Sequence, residues 1–98
     1  MTLTDKQRKH LRGLGHALKP VVYVAEAGLR PSVLHEIYTA LKHHELIKVS
    51  IRVGDREARA AVLDELAEKA GATVVQRVGN VALLYRPNPD KPRVDLPG

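Results

Sequence analysis

Apolar residues recur along the chain in two rhythms, one of three to four positions and one of two, and the switches between them predict the elements. Thr4-Asp5-Lys6-Gln7 is a capping box, with the Thr4 hydroxyl placed to take the Gln7 N–H and the Gln7 side chain placed to reach back. A first helix follows, with Leu11, Leu14 and Leu18 as its apolar stripe and Lys6, Arg8, Lys9 and Arg12 turned to water or a partner. Gly13 and Gly15 weaken its last turn and predict its end. Lys19-Pro20 forces extended backbone, so Val21-Val22-Tyr23-Val24 reads as a short strand. The strand empties through Ala25-Glu26-Ala27-Gly28 toward Pro31, a favoured first residue of a helix. Val33, Ile37, Ala40, Leu41 and His44 then keep helical spacing up to about Glu45.

From Leu46 to Arg52 the period shortens to two: Ile47, Val49 and Ile51 share one face, and Lys48, Ser50 and Arg52 the other. This predicts a half-buried strand with a basic outer face. Asp55 can cap a third helix that buries Ala58, Ala61, Val62, Leu66 and Ala70 and stops at Gly71. Residues 73–78 and 81–86 flank Gly79-Asn80, a two-residue Gly-X loop that closes a hairpin. The order α-β-α-β-α-β-β predicts a two-layer α/β sandwich with a mixed four-stranded sheet and an N-terminal helix, helical crossovers joining parallel neighbours and a hairpin supplying the antiparallel edge. Residues 1–86 form the one domain that this length allows. Residues 87–98 hold four of the six prolines, without periodicity, and predict an extended tail that is ordered only if something holds it.

Charge adds a partner class. Sixteen Lys and Arg against eleven Asp and Glu leave a net +5, and the pI is near 9.8. Such a field attracts polyanions, nucleic acid first and an anionic membrane surface second. Asp55, Glu57, Asp64, Glu65 and Glu68 gather on the third helix, which a polyanion should avoid. With no Phe, no Trp and three tyrosines, base stacking on a sheet is poorly supplied, so contacts should lean on phosphates. No cysteine is present, which excludes thiolate chemistry and fits a reducing cytoplasm. Met1 is followed by polar residues and no segment reaches the length of a membrane span, so a soluble, cytoplasmic protein without a membrane partner is expected. No long apolar stripe is left over, so a monomer is expected.

Candidate chemistry is sparse. His43 and His44 are adjacent, about 100° apart on a helix, and His35 lies more than two turns from them, which is poor metal-ligand spacing. His44 is expected to pack at the helix end, and His43 to cap carbonyls or meet the nucleic acid. Ser32 and Ser50 have no recognisable His partner or oxyanion motif. The expectation is a non-enzymatic protein with no cofactor, no metal and no small-molecule substrate.

Three stretches, LRGLGHALKPVVYV, AGLRPSVLHEIYTALKHHELIKVSI and VVQRVGNVALLYRP, resemble the YhbY family, bacterial stand-alone versions of the CRM (chloroplast RNA splicing and ribosome maturation) domain. The most specific string is His43-His44-Glu45-Leu46-Ile47-Lys48-Val49, supported by Leu84-Tyr85-Arg86. The resemblance implies a fold similar to the C-terminal domain of translation initiation factor three, RNA binding, and association with precursors of the large ribosomal subunit, hence rRNA as the partner. It also implies a G-x-x-G loop at residues 25–28, reminiscent of the backbone clamp of KH domains. Here Ala25 stands at the first glycine position and only Gly28 remains. Arg30 stands where the family often has a Thr N-cap, which gives up a capping bond and adds a phosphate-binding fork. The candidate RNA contacts are Lys6, Lys9, Arg12, Lys19, Ala25, Gly28, Arg30, Lys48, Arg52, Arg77 and Arg86. The competing reading is a protein-interaction adaptor whose basic face docks an acidic partner and whose tail sits in a groove. A small nuclease would need a motif that this sequence lacks.

Overall fold

Each helix begins where its capping chemistry predicts. In the computed structural model, which describes residues 2–98, the Thr4 side chain accepts the Gln7 N–H at 3.1 Å and the Gln7 Oε1 accepts the Thr4 N–H at 3.0 Å. This opens α1 (Asp5–Gly15). The chain continues through β1 (Pro20–Val24), α2 (Pro31–His44), β2 (Leu46–Ile51), α3 (Arg56–Ala70), β3 (Thr73–Val78) and β4 (Val81–Tyr85). The Asp55 carboxylate caps α3 by accepting the Ala58 N–H at 2.8 Å.

The four strands lie in the order β1-β2-β4-β3. β1 and β2 are parallel, and β4 runs antiparallel to both its neighbours. The crossover through α3 therefore does not join neighbours, contrary to the expectation from element order. β2 and β3 are parallel but β4 lies between them. The physical reason is in the strand itself: Ala82-Leu83-Leu84-Tyr85 is buried on both faces, and such a run belongs inside a sheet rather than at its edge.

Alternation assigns the two faces. Val22, Val24, Ile47, Val49, Ile51, Ala82 and Leu84 pack beneath α2 and α3, joined by Ile37, Leu41, Leu63, Leu66 and Ala70. This is the two-layer sandwich. The opposite face is only partly closed: Leu3 and Leu11 of the N-terminal segment cover Leu46, Val75, Leu83 and Tyr85, with Leu18, Val94 and Leu96 at the margin.

Each expected stripe holds except at one position. In α1, Leu11 and Gly15 are buried whereas Leu14 is 42% exposed. A Cβ at Gly15 would meet the Leu83 methyls at 2.7 and 2.9 Å, so glycine is what lets the last turn of α1 rest on the sheet. In α3 the buried residues are Leu63, Leu66, Ala67 and Ala70, while Ala61 faces out. The larger leucines turn toward the core at the expense of Ala58 and Ala61, because they remove more apolar area from water. His44 is exposed at the end of α2 and does not pack.

The proline-rich tail is held. Glu45 is 2% exposed and sits in the left-handed region at φ 61°. Its Oε2 accepts the Asn88 N–H, and its Oε1 accepts the N–H groups of Arg93 and Val94. Burial opposes the charge, but these three backbone donors and the positive charge of Arg93 outweigh it and hold the carboxyl below its ordinary value. Tyr85 beside it is pushed up, by burial and by the charge of Glu45. Farther on, the Gln7 side-chain amide donates to the Pro97 carbonyl at 3.0 Å, which ties the tail to α1.

Candidate functional site

Because α1 and the tail cover only one end of their face, the outer part of the sheet stays open along β1 and the neighbouring positions of β2. β1 is an edge strand that begins with Pro20, where a missing N–H is tolerated. A register shift between Pro20 and Val22 leaves Val21 unpaired and exposed. Tyr23, opposite Ser50 of β2, is 53% exposed. Lys48 is half-buried on the same face, and Ser50 is covered, so the outer face of β2 is less open than alternation alone suggests. Arg52 reaches back over Ser50, its Nε donating to the hydroxyl at 3.4 Å, and its guanidinium carbon lies 5.0 Å from the Tyr23 ring centroid.

Between this open face and α1 runs a groove whose walls include Leu14, Leu18 and Val21 and whose charged positions are Lys19, Lys48 and Arg93, with His44 at its margin. No carboxylate lines it among the described residues. Lys19 and Lys48 are thus brought together by the parallel pairing of β1 and β2, in which Pro20 lies opposite Lys48.

The loop leaving β1 lies at the end of the sheet where Arg52 emerges, since the Arg52 N–H donates to the Val24 carbonyl at 2.7 Å. Gly28 closes a turn by donating its N–H to the Ala25 carbonyl at 2.8 Å, and it has φ 84°, a conformation that strains any side chain. Ala25 does not have positive φ. The replacement of the first loop glycine therefore carries no backbone strain. Arg30 occupies the N-cap of α2 without a side-chain capping bond, and its side chain is exposed at the helix mouth. The Glu26 Oε1 accepts the Gly54 N–H at 2.9 Å, which staples the loop to the β2–α3 connection.

The remaining candidates are dispersed. Lys6 and Lys9 are exposed on α1 and line a shallow hollow with His10 and Gly13, while Arg12 is half-buried. Arg77 lies at the hairpin end with Arg59 of α3, on the layer side of the sheet. Arg86 stacks over Tyr38 of α2, with its guanidinium carbon 5.2 Å from the ring centroid, in a separate concavity with Lys42 and Asn88. Arg8, expected to face water or a partner, instead donates its Nη1 to the Val74 and Val75 carbonyls at 3.0 and 2.9 Å. It satisfies backbone groups beside the β3 register shift between Val74 and Gln76. Sequence reasoning missed Tyr23 because three tyrosines in a chain do not reveal which is exposed. It missed the tail-binding role of Glu45, whose sequence signal was a lone carboxylate between a helix and an apolar strand.

The five acids at Asp55, Glu57, Asp64, Glu65 and Glu68 are all exposed on the α3 layer, across the sheet from the open face. No helix of the described residues is long and apolar enough to cross a membrane.

Known proteins are similar to this chain. A probable RNA-binding protein of Pseudomonas aeruginosa is 48% identical over 96 residues, covering 98% of this chain and 91% of the relative. An RNA-binding protein of Haemophilus influenzae is 42% identical over 96 residues, with 98% and 96% covered. The solution structure of a hypothetical protein of Staphylococcus aureus, 27% identical, superposes with a TM-score of 0.83 over 98% of this chain and all of the other. The model of the CRS1/YhbY (CRM) domain matches residues 3–86, from the segment that covers the sheet's second face to the residue after β4. With sequence relatives and a solved structure agreeing along nearly the whole length, this chain belongs to the CRS1/YhbY (CRM) domain family.

Proposed function

We propose that this chain is an RNA-binding protein that associates with large-subunit rRNA in precursor ribosomal particles and assists their assembly by binding alone. The observation that carries the reading is charge segregation: Lys19 and Lys48 line one groove with no carboxylate among the described residues and Arg52 extends over the adjoining sheet face, while the acids of α3 lie across the sheet. Phosphates suit such a surface, because each one neutralised releases condensed counterions. Arg30 and the first-turn N–H groups of α2, at the end of the sheet where Arg52 emerges, add donors of matching sign.

RNA as the ligand class is supported by the relatives that carry that description. The ribosomal assignment rests on the family resemblance. Lys6, Lys9 and Arg12 extend the contact along α1, whereas Arg77 and Arg86 are peripheral to it in this reading. The chain works in the cytoplasm, as a monomer, and performs no reaction on its RNA.

Crosslinking in living cells, followed by sequencing of the attached RNA, tests the proposal with an Arg30→Glu/Lys48→Glu variant alongside. Reads concentrated on one region of large-subunit rRNA and lost in the variant are expected. Reads spread evenly over abundant RNAs would overturn the ribosomal assignment. A partner that remains bound after nuclease treatment would favour an acidic protein instead.

A further inference from the structure

The open half of the sheet holds a feature that phosphate binding does not use. Tyr23 is a large ring on an edge strand, about half exposed, and its hydroxyl makes no hydrogen bond among the described residues. Tyr38, the other exposed tyrosine, differs: its hydroxyl donates to the Lys69 carbonyl at 3.1 Å, so it fastens α2 to α3. Tyr23 fastens nothing in this way. Val21 and Leu14 lie on the same side and are also exposed, which leaves an apolar strip that neither α1 nor the tail covers.

Cations flank that strip. Arg52 lies over the Tyr23 ring and is oriented by Ser50, and Lys48 and Lys19 follow along the groove. A flat apolar surface with these cations beside it suits a ligand that is itself flat and apolar on its faces and anionic along its backbone. An unpaired nucleotide has this chemistry: the base stacks on an aromatic ring or on a guanidinium plane while the phosphate meets the cation beside it. A base inside a duplex has both faces covered by its stacked neighbours.

We propose that Tyr23 and Arg52 form a stacking platform for an unpaired base of RNA, with Lys48 and Lys19 carrying the phosphates that follow. The proposal rests on the RNA-binding reading and adds that this surface selects single-stranded segments over duplex. The β1–α2 loop begins two residues after Tyr23, so a strand held at the helix mouth by Arg30 continues onto the platform at the adjoining end of β1.

The test compares a short single-stranded oligoribonucleotide carrying 2-aminopurine with a blunt duplex of the same sequence, against wild type, Tyr23→Ala and Tyr23→Phe. All three proteins should share one far-UV spectrum and remain folded at the assay temperature, because the ring lies outside both buried clusters. Wild type should bind the single strand more tightly and quench its fluorophore. Tyr23→Ala should lose about tenfold or more of single-strand affinity and the quenching, with its salt dependence and duplex affinity unchanged. Tyr23→Phe should retain both, because the stacking face survives. Wild-type binding with no loss in Tyr23→Ala would overturn the platform and leave the RNA reading standing. Equal losses on single strand and duplex would also overturn it, since stacking on an unpaired base would not produce them. A wild-type protein that binds neither RNA would overturn the RNA reading and the platform together.

Discussion

The two faces of one sheet have been put to different uses. Beneath α2 and α3, alternate positions of three strands are aliphatic without exception, and Val24, Val49 and Leu84 are fully buried among Ile37 and Leu66. On the other face the same strands offer Tyr23, Ser50 and Arg52 at one end and Leu46 and Tyr85 at the other, with Lys48 paired beside Leu83 at the boundary, and α1 with the tail closes only Leu46, Leu83 and Tyr85. A face that is completely covered contributes stability and can recognise nothing. The half-covered face keeps its closed end as support and leaves its open end available to a ligand. Because both faces are read from the same strands, a change of one residue along β1 or β2 moves between these roles.

The comparison predicts that damage should separate by face. The largest effect is expected for Ile37→Ala, which opens a cavity in the fully packed layer: urea unfolding should show a loss of about 3 kcal/mol, with the RNA affinity of the folded fraction unchanged. An affinity loss as large as the stability loss would break the separation.

Next comes Glu45→Gln on the closed end of the second face, which replaces one of the two oxygens that accept tail N–H groups and should cost about 2 kcal/mol. The pH dependence has a definite sign. The folded carboxyl lies below its ordinary value, so its contribution is present above the unfolded carboxylate pKa and is lost as pH falls through the lower folded value. Wild type should lose stability across that acidic window, while the stability of Glu45→Gln should be flatter there. Parallel acid slopes in the two proteins would show that other carboxylates dominate.

A smaller and two-signed effect is expected at the glycines of α1. Gly15→Ala drives a methyl against Leu83 and should destabilise by about 1 kcal/mol, whereas Gly13→Ala meets nothing within 4 Å and should stabilise by up to about 1 kcal/mol through helix propensity. Thermal melts of the pair check whether α1 is seated on the sheet as described. The smallest stability change belongs to Lys48→Gln on the open end, within about 0.5 kcal/mol, although its salt slope for RNA should fall by roughly one phosphate's worth.

Much of the fold was legible in the residues. The capping box at Thr4, the Pro31 start of α2, the Asp55 cap, the Gly79-Asn80 turn and the alternation of β2 are local signals, each complete within a few neighbouring positions. The departures share a cause. Periodicity turns Leu14 and His44 inward because a stripe gives a face but not the width of the cover that lies over it. Position 14 projects beyond the edge of the buried patch that Leu11 shares with Leu83. Arg8 reads as a surface charge because its acceptors, the carbonyls of residues 74 and 75, are distant in sequence.

The candidate site divides along the same line. Charge balance, the position of the turn and the identity of Arg30 and Lys48 follow from the sequence, since they depend on composition and on chemistry between neighbours. The return of β4 to the middle of the sheet, the seating of α1 over one end of a face, the fastening of the tail to Glu45 and the placing of Arg52 over Tyr23 were decided only by the tertiary structure. Each of these brings together groups separated by many residues, and their pairing is set by which apolar surfaces exclude water most completely when the whole chain folds.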